Sequence, residues 1–122
     1  LDRIQMIKGW VDAKGESQER IYDLAWSGDR VIDSVTKRLS PVGSTVDAAA
    51  ATFDNSIGLP QLRAQWKDPD FDASQEAFYY ARVLEIPTPR WSTYDAAQLG
   101  TKPMAPVSIQ ERAISSAIWY QP

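Results

Sequence analysis

Two alternating segments at the start of the chain constrain the fold most strongly. Residues 3–11 are rich in β formers, and Ile4 and Met6 alternate with Arg3 and Gln5 in the two-residue period of a strand. The alternation resumes over residues 17–26, after a turn at residues 12–15 in which Gly15 can adopt positive φ. The sequence therefore predicts an antiparallel hairpin. On one side of its second strand we predict the side chains of Arg20, Tyr22, Leu24 and Trp26.

Later segments add further strands to this hairpin. Residues 76–86 are rich in aromatic and β-branched side chains at both odd and even positions. This pattern predicts a central strand with two covered faces. Residues 107–120 predict one or two short final strands with a break at Ser115-Ser116. We also predict a strand over residues 44–55, although four consecutive alanines lie within it, and a strand or short helix over residues 61–67.

Long connections rich in proline and glycine separate the predicted strands. The longest runs from Pro87 to Pro106 and contains four prolines. Six to eight strands with few helices indicate a mostly β protein, an antiparallel β-sandwich with long Pro-rich loops. The 122 residues suit one domain, and we expect it to be the C-terminal fragment of a larger protein.

Two absent residue types limit the chemistry of the chain. Histidine is missing, and with it the commonest general base near neutral pH and the commonest transition-metal ligand. Cysteine is missing too, so thiol nucleophiles, disulfides and zinc–thiolate sites cannot form. Any catalysis would depend on carboxylates, lysine, tyrosine or serine. We therefore expect a non-catalytic chain without a cofactor.

The charge pattern indicates neither nucleic acid nor membrane as a partner. The net charge is −3, and the 13 lysines and arginines are scattered along the chain. Binding to phosphate backbones requires clustered cations that displace counterions. No apolar run approaches the roughly 20 residues of a membrane-spanning helix. We expect no nucleic-acid binding and no membrane insertion, and the sequence leaves the oligomeric state open.

Three aspartates at alternate positions form the one candidate metal site. Asp68, Asp70 and Asp72 present oxygens with the spacing that calcium loops use. The pattern departs from an EF-hand loop at Ala73, where that loop needs glycine, and at Tyr79, where it needs a bidentate glutamate. We favour a solvated turn over a cation site here.

The stretch from Pro87 to Asp95 is the candidate contact region. Its prolines stiffen a loop in which Arg90 and Trp91 are adjacent, and both types are frequent anchors at interfaces. Two interpretations stay open: the loop presents Arg90, Trp91 and Tyr94 to a neighbouring domain or ligand, or it folds back over the sandwich edge.

Two charged residues near the end of the chain are further tentative contacts. Glu111 and Arg112 are neighbours in a predicted strand, so their side chains should point to opposite faces. We expect either residue to form a structural ion pair with Arg90, Arg82 or Glu85.

Five segments of the chain form a distinctive combination: Arg3–Trp10, Gln18–Asp23, Trp66–Phe71, Phe78–Trp91 and Gln110–Ala113. Together they resemble an uncharacterised bacterial family, catalogued as domain of unknown function three-six-zero-four. The resemblance covers nearly the whole chain and is most specific in the run that ends at Arg90-Trp91.

The resemblance implies a longer parent protein. Family members are several times longer than this chain, and their N-terminal part resembles PHP-class metal-dependent phosphoesterases, whose histidine and carboxylate ligands cannot be located in a chain without histidine. It therefore implies an accessory C-terminal domain that packs against an upstream hydrolase-like barrel and shapes its active-site entrance. It slightly favours a periplasmic or secreted location.

Two other functions compete with the accessory role. An independent ligand- or carbohydrate-binding module would need a concave face with exposed, coplanar aromatics such as Trp10, Trp26 or Trp119. A small hydrolase would need two carboxyl groups about 5–10 Å apart in a cleft.

Overall fold

A long antiparallel hairpin forms the foundation of the structure, a computed structural model that describes residues 1–122. Strand β1 (Arg3–Val11) pairs with β2 (Ser17–Trp26) in the predicted antiparallel sense. In the turn between them, the Asp12 carboxylate accepts hydrogen bonds from the backbone N–H groups of Lys14 and Glu16. This Asx-type bonding explains why the chain reverses there.

The other strands extend the hairpin into one main sheet. Strand β3 (Ala77–Leu84) pairs antiparallel with β1, as expected of a central strand. Its other edge pairs with β6 (Arg112–Ile114) and β7 (Ile118–Tyr120). The five-stranded sheet therefore has the order β2-β1-β3, followed by the two short strands. The break at Ser115-Ser116 is confirmed, and the Ser115 hydroxyl accepts a hydrogen bond from the Ala81 N–H there.

A second, smaller sheet and one helix occupy the region after β3. Strands β4 (Thr88–Pro89) and β5 (Ser108–Ile109) form an antiparallel two-stranded ribbon. Helix α1 (Trp91–Leu99) follows β4 and ends at Gly100, whose φ of 65° closes the helix in the left-handed conformation. The predicted fold class, mostly β with antiparallel sheets, is confirmed. None of the helices combines the length and apolar character that a membrane span requires.

Three local predictions were wrong. Residues 44–55 form turns rather than a strand, because the Asp47 carboxylate accepts hydrogen bonds from the N–H groups of Ala49 and Ala50. Residues 61–67 contain neither strand nor helix. The connection from Pro87 to Pro106 contains α1, because its Ala-Ala-Gln-Leu segment favours helix and Gly100 supplies the stop.

A β-bulge also changes which side chains of β2 share a face. Gln5 pairs with Asp23 and Ile4 with Ala25, so Leu24 has no partner across the hairpin. The extra residue reverses the alternation beyond it. Tyr22 and Trp26 were predicted on one side of the strand, but the register places them on opposite faces of the sheet.

The two faces of the main sheet can be assigned from the register. One face, which we call the loop-covered face, contains Lys8 with its cross-strand neighbours Arg20 and Tyr79. The opposite face, which we call the aromatic face, is defined by Ile7, Gly9, Val11, Ile21, Phe78, Tyr80, Ile114 and Trp119. Buried apolar side chains are few, and Ile7 at the centre of the aromatic face is the largest that is fully enclosed.

Gly9 is required by the packing of Phe78 on the aromatic face. A Cβ atom at residue 9 would lie 2.3 Å from Cζ of the Phe78 ring, which therefore covers the glycine directly. We predict that Gly9→Ala destabilises the fold by about 1–3 kcal/mol, the usual cost of overpacking. Urea denaturation would measure this difference.

The double variant Gly9→Ala/Phe78→Leu provides the matched control. The smaller side chain gives the new methyl group room, so the cost of Gly9→Ala should shrink in the Phe78→Leu background. Equal costs in both backgrounds would show that the Phe78 ring is not the reason for the glycine.

Candidate functional site

A buried ion pair fixes the loop that covers one face of the sheet. Lys8 in β1 donates from Nζ to Oδ2 of Asp68 at 2.7 Å and to the carbonyl oxygen of Asp70 at 2.7 Å. Only 3% of the Lys8 side chain and 6% of the Asp68 side chain are exposed. A lysine without a partner would not be tolerated at this burial, so the loop and the strand depend on each other.

Two tyrosines complete this cluster. Tyr79 donates its hydroxyl hydrogen to Asp68 at 2.7 Å, and Tyr22 donates to Asp70 at 2.8 Å. Burial, together with the hydrogen bond to a carboxylate, raises the pKa of both phenols above its usual value. Both therefore stay protonated and act as donors. Trp66 packs against both rings, with centroid distances of 5.0 and 6.1 Å.

The three alternating aspartates are each engaged by groups of the chain itself. Asp68 binds Lys8, Asp70 binds Arg20 at 2.6 Å, and Asp72 accepts hydrogen bonds from the backbone and hydroxyl of Ser74. The structure contains no group of three or more acidic side chains arranged to hold a metal ion. The segment is tied to the sheet by these contacts, and its Asp68 side chain is buried rather than solvated.

A second buried network joins the start of β1 to distant loops. Asp2 is fully buried and accepts hydrogen bonds from Arg3 at 3.0 Å, Arg30 at 2.6 Å and Gln110 at 2.8 Å. Gln5 extends the network, because it donates to Asp23 at 2.8 Å and accepts from Arg82 at 2.9 Å. The sequence analysis missed this network, although Arg3 and Gln5 alternate on one side of β1.

The aromatic face contains an apolar cleft near the hairpin turn. We call it the aromatic cleft; its volume is about 510 Å³. Phe78 and Trp119 lie beside each other there, with ring centroids 5.3 Å apart and planes tilted by 45°. Tyr80 continues the row, stacked at 8° to Phe78. The rim is polar and includes Glu19, Glu76 and Gln121.

A second depression adjoins the cleft on the side of β2. This polar groove of about 530 Å³ lies between the sheet and the loop Thr36–Leu39. Its floor includes Ile21 and Asp23, and Glu19 borders both depressions. Lys37 and Arg38 form the loop wall, and neither makes an ion pair within the chain.

The structure brings together three of the five tentative contact residues. Arg90 immediately precedes α1, and its guanidinium lies 5.8 Å from the centre of the Trp91 ring, a cation–π arrangement. Tyr94, one turn further on, is also exposed, as is 65% of Trp91. Together these three residues form the α1 patch.

The other two tentative residues lie away from the α1 patch. Glu111 and Arg112 are exposed at the start of β6. No ion pair joins either residue to Arg90, Arg82 or Glu85. Instead the Glu111 carbonyl accepts a hydrogen bond from the Glu85 N–H at 2.9 Å, a backbone contact between neighbouring segments.

Comparison with known proteins gives a family and no activity. The family model described as "Protein of unknown function (DUF3604)" matches residues 1–122. The chain belongs to the DUF3604 family. No curated protein and no solved structure matches it. Membership therefore confirms the family resemblance seen in the sequence, and the function has to be argued from the site.

Removal of the Asp68 charge tests the buried ion pair of the DUF3604 chain. We predict that Asp68→Asn destabilises the fold by about 3–5 kcal/mol, because Lys8 would remain charged and buried with the Asp70 carbonyl oxygen as an acceptor but no carboxylate to balance its charge. Asp70→Asn is the matched control in the same loop, since its ion pair is half exposed and should be worth about 0–1 kcal/mol. Equal effects in urea denaturation would contradict this assignment.

The stability effect of Asp68→Asn should also depend on pH. Burial by itself raises the pKa of Asp68, but hydrogen bonds from Lys8 and Tyr79 outweigh it and hold the pKa below the usual 3.8. A lowered pKa adds stability that is complete above the unfolded-state pKa and is lost as pH falls through the folded-state pKa. The stability difference between wild type and Asp68→Asn should therefore be constant near neutrality and shrink below pH 3.8.

Proposed function

We propose that the DUF3604 chain is a non-catalytic accessory domain, and that its aromatic face packs against an upstream domain of the same polypeptide. The observation that supports this proposal is the unequal covering of the sheet. The loop around Asp68 covers one face, with Trp66 and the Lys8 ion pair beneath it. Across much of the other face, apolar side chains are open to solvent.

The exposed side chains on the aromatic face are large. Trp119 is 72% exposed and Ile114 67%, and Val11 and Ile21 are exposed as well. Sheets normally bury their apolar face against a second layer, and large exposed apolar patches mark interaction surfaces. A neighbouring domain that supplies this layer would remove these four side chains from water. The family resemblance, which implies a much longer parent protein, supports an upstream domain as that layer.

The role of the α1 patch follows from the same proposal. If the upstream domain is a metal-dependent hydrolase-like barrel, as the resemblance implies, the accessory domain can shape its active-site entrance. Arg90, Trp91 and Tyr94 suit such a position, because they are held at the start of a helix, where Trp91 and Tyr94 are exposed and Arg90 is half-buried.

The titratable groups of the chain support an accessory role rather than an enzymatic one. Asp2, Asp23 and Asp68, whose carboxylates are buried, are bound by cations of the chain. The buried Lys8 is likewise bound to Asp68 and to a carbonyl oxygen. These groups are committed to holding loops on the sheet, so they are poor candidates for a general acid or base.

Two tryptophans of similar exposure provide the test. In the intact polypeptide we predict that hydroxyl-radical footprinting modifies Trp91, at the solvent-filled entrance, and leaves Trp119 protected on the docked face. Both side chains are exposed in the chain by itself, 65% and 72%, so the contrast has to come from the neighbouring domain. Modification of Trp119 as fast as Trp91 would contradict docking by the aromatic face.

The aromatic cleft favours a second candidate function, an independent carbohydrate-binding module. Sugars bind to aromatic ring faces bordered by hydrogen-bonding side chains, and Phe78, Trp119, Glu76 and Gln121 provide both. Of the three tryptophans named from the sequence, Trp10 and Trp119 line the cleft and Trp26 does not. Lys8 lies 5.3 Å from the Trp10 ring centre on the loop-covered face, and the Trp26 indole donates to the Arg30 carbonyl.

A titration separates the two functions. Soluble neutral oligosaccharides would be added while tryptophan fluorescence is followed. The accessory role predicts no saturable change. A saturable change that disappears in Trp119→Ala and persists in Trp91→Ala would instead assign the cleft to carbohydrate.

A further inference from the structure

The charges around the aromatic face are unequally distributed. At the loop wall of the polar groove, Lys37 and Arg38 are exposed and have no ion-pair partner in the chain. At the hairpin end, the exposed Glu19 and Glu76 on the rim of the aromatic cleft have none either. Two unpaired cations therefore line the polar groove and two unpaired carboxylates line the aromatic cleft, with Glu19 at the boundary between the two depressions.

The remaining charges in the two depressions are already neutralised. Asp23 lies 3.5 Å from the Arg3 guanidinium and also accepts hydrogen bonds from Gln5 and the Leu39 N–H. Arg20 is paired with Asp70. The four unpaired charges are therefore those that an incoming partner would meet.

Hydrogen bonds fix the backbone of the loop that contains Lys37 and Arg38. The Asp33 carboxylate accepts hydrogen bonds from the N–H groups of Val35 and Thr36, and the Lys37 N–H donates to the Asp33 carbonyl. Lys37 itself has a φ of 56°. The Leu39 side chain is buried and anchors the end of the loop against the sheet. The two cations are thus presented by a folded turn.

We propose that the element docked on the aromatic face has a charge distribution complementary to it. This element of the upstream domain places a carboxylate opposite Lys37 and Arg38, an apolar side chain in the cleft beside Phe78 and Trp119, and a cation opposite Glu19 and Glu76. The proposal rests on the accessory function above. Complementary charges fix the orientation of a docked element more than they add affinity.

A second copy of the chain fits this face less well. A symmetric pair would set two concave faces against each other, because each copy brings the same two depressions to the interface. A protruding element of a linked domain can fill them, and the linkage also raises its effective concentration.

Zero-length cross-linking tests the inference in the intact polypeptide. A carbodiimide joins a lysine amine to a carboxylate only where the two are in contact, and mass spectrometry identifies the residues joined. We expect products that join Lys37 to a carboxylate outside residues 1–122, and products that join Glu19 or Glu76 to a lysine outside this range. Lys102, exposed and lining neither depression, is the control and should give none.

Two variants sharpen the result. Lys37→Arg keeps the positive charge and removes the amine, so the Lys37 product should disappear while Trp119 stays protected from hydroxyl radicals. The double reversal Lys37→Glu/Arg38→Glu should reduce the protection of Trp119, and Lys102→Glu should leave it unchanged.

The outcomes distinguish this inference from the function on which it rests. Protection of Trp119 without cross-links at Lys37, Glu19 or Glu76 overturns the charge complementarity and leaves the accessory role standing. If Trp119 is not protected and the cross-links are also absent, the accessory role itself is overturned. Cross-links from Lys37 to Glu19 or Glu76 between two copies, separated by isotope labelling, would assign the face to a dimer and overturn the proposal.

Discussion

The buried carboxylate of Asp2 is the interaction on which most of the fold depends. It accepts hydrogen bonds from Arg3, Arg30 and Gln110, residues separated by more than a hundred positions in the chain. Its backbone bonds to Leu84 and Ser27, at the ends of β3 and β2. One side chain thus joins the start of β1, the loop after the hairpin and the final segment. Loss of the Asp2 carboxylate would remove the buried anion that Arg3 and Arg30 share.

The Lys8–Asp68 pair has the same role on the loop-covered face. The long loops of this protein have little regular structure and few buried apolar side chains, so packing alone cannot position them. Buried ion pairs contribute little net stability, because desolvation offsets the attraction, but they discriminate strongly against alternative arrangements. The fold therefore uses charge to fix its loops in place. On the aromatic face, by contrast, large apolar side chains such as Trp119 and Ile114 stay exposed.

The features of the fold that could be predicted from the sequence are those that depend on residues close together in the chain. The hairpin, the central strand and the short final strands were predictable, because alternation and β propensity are properties of the segments themselves. The strand predicted over residues 44–55 failed because the Asp47 side chain competes for the backbone N–H groups. Helix α1 was not predicted, because its segment lies in a connection with four prolines. Arg90, Trp91 and Tyr94 lie together at the start of α1, and their role as contacts stays a prediction. The packing of Phe78 beside Trp119 in the aromatic cleft was not predicted.

The sequence by itself determined the β class, the hairpin, the family and the absence of histidine and cysteine chemistry. It did so because these depend on composition and on side chains a few positions apart. Only the tertiary structure decided which side chains meet across the sheet. The bulge at Leu24 reverses the alternation, Gly9 is covered by Phe78, and Asp68 meets Lys8 from 60 positions away. Such contacts depend on register and loop paths, which no local pattern encodes.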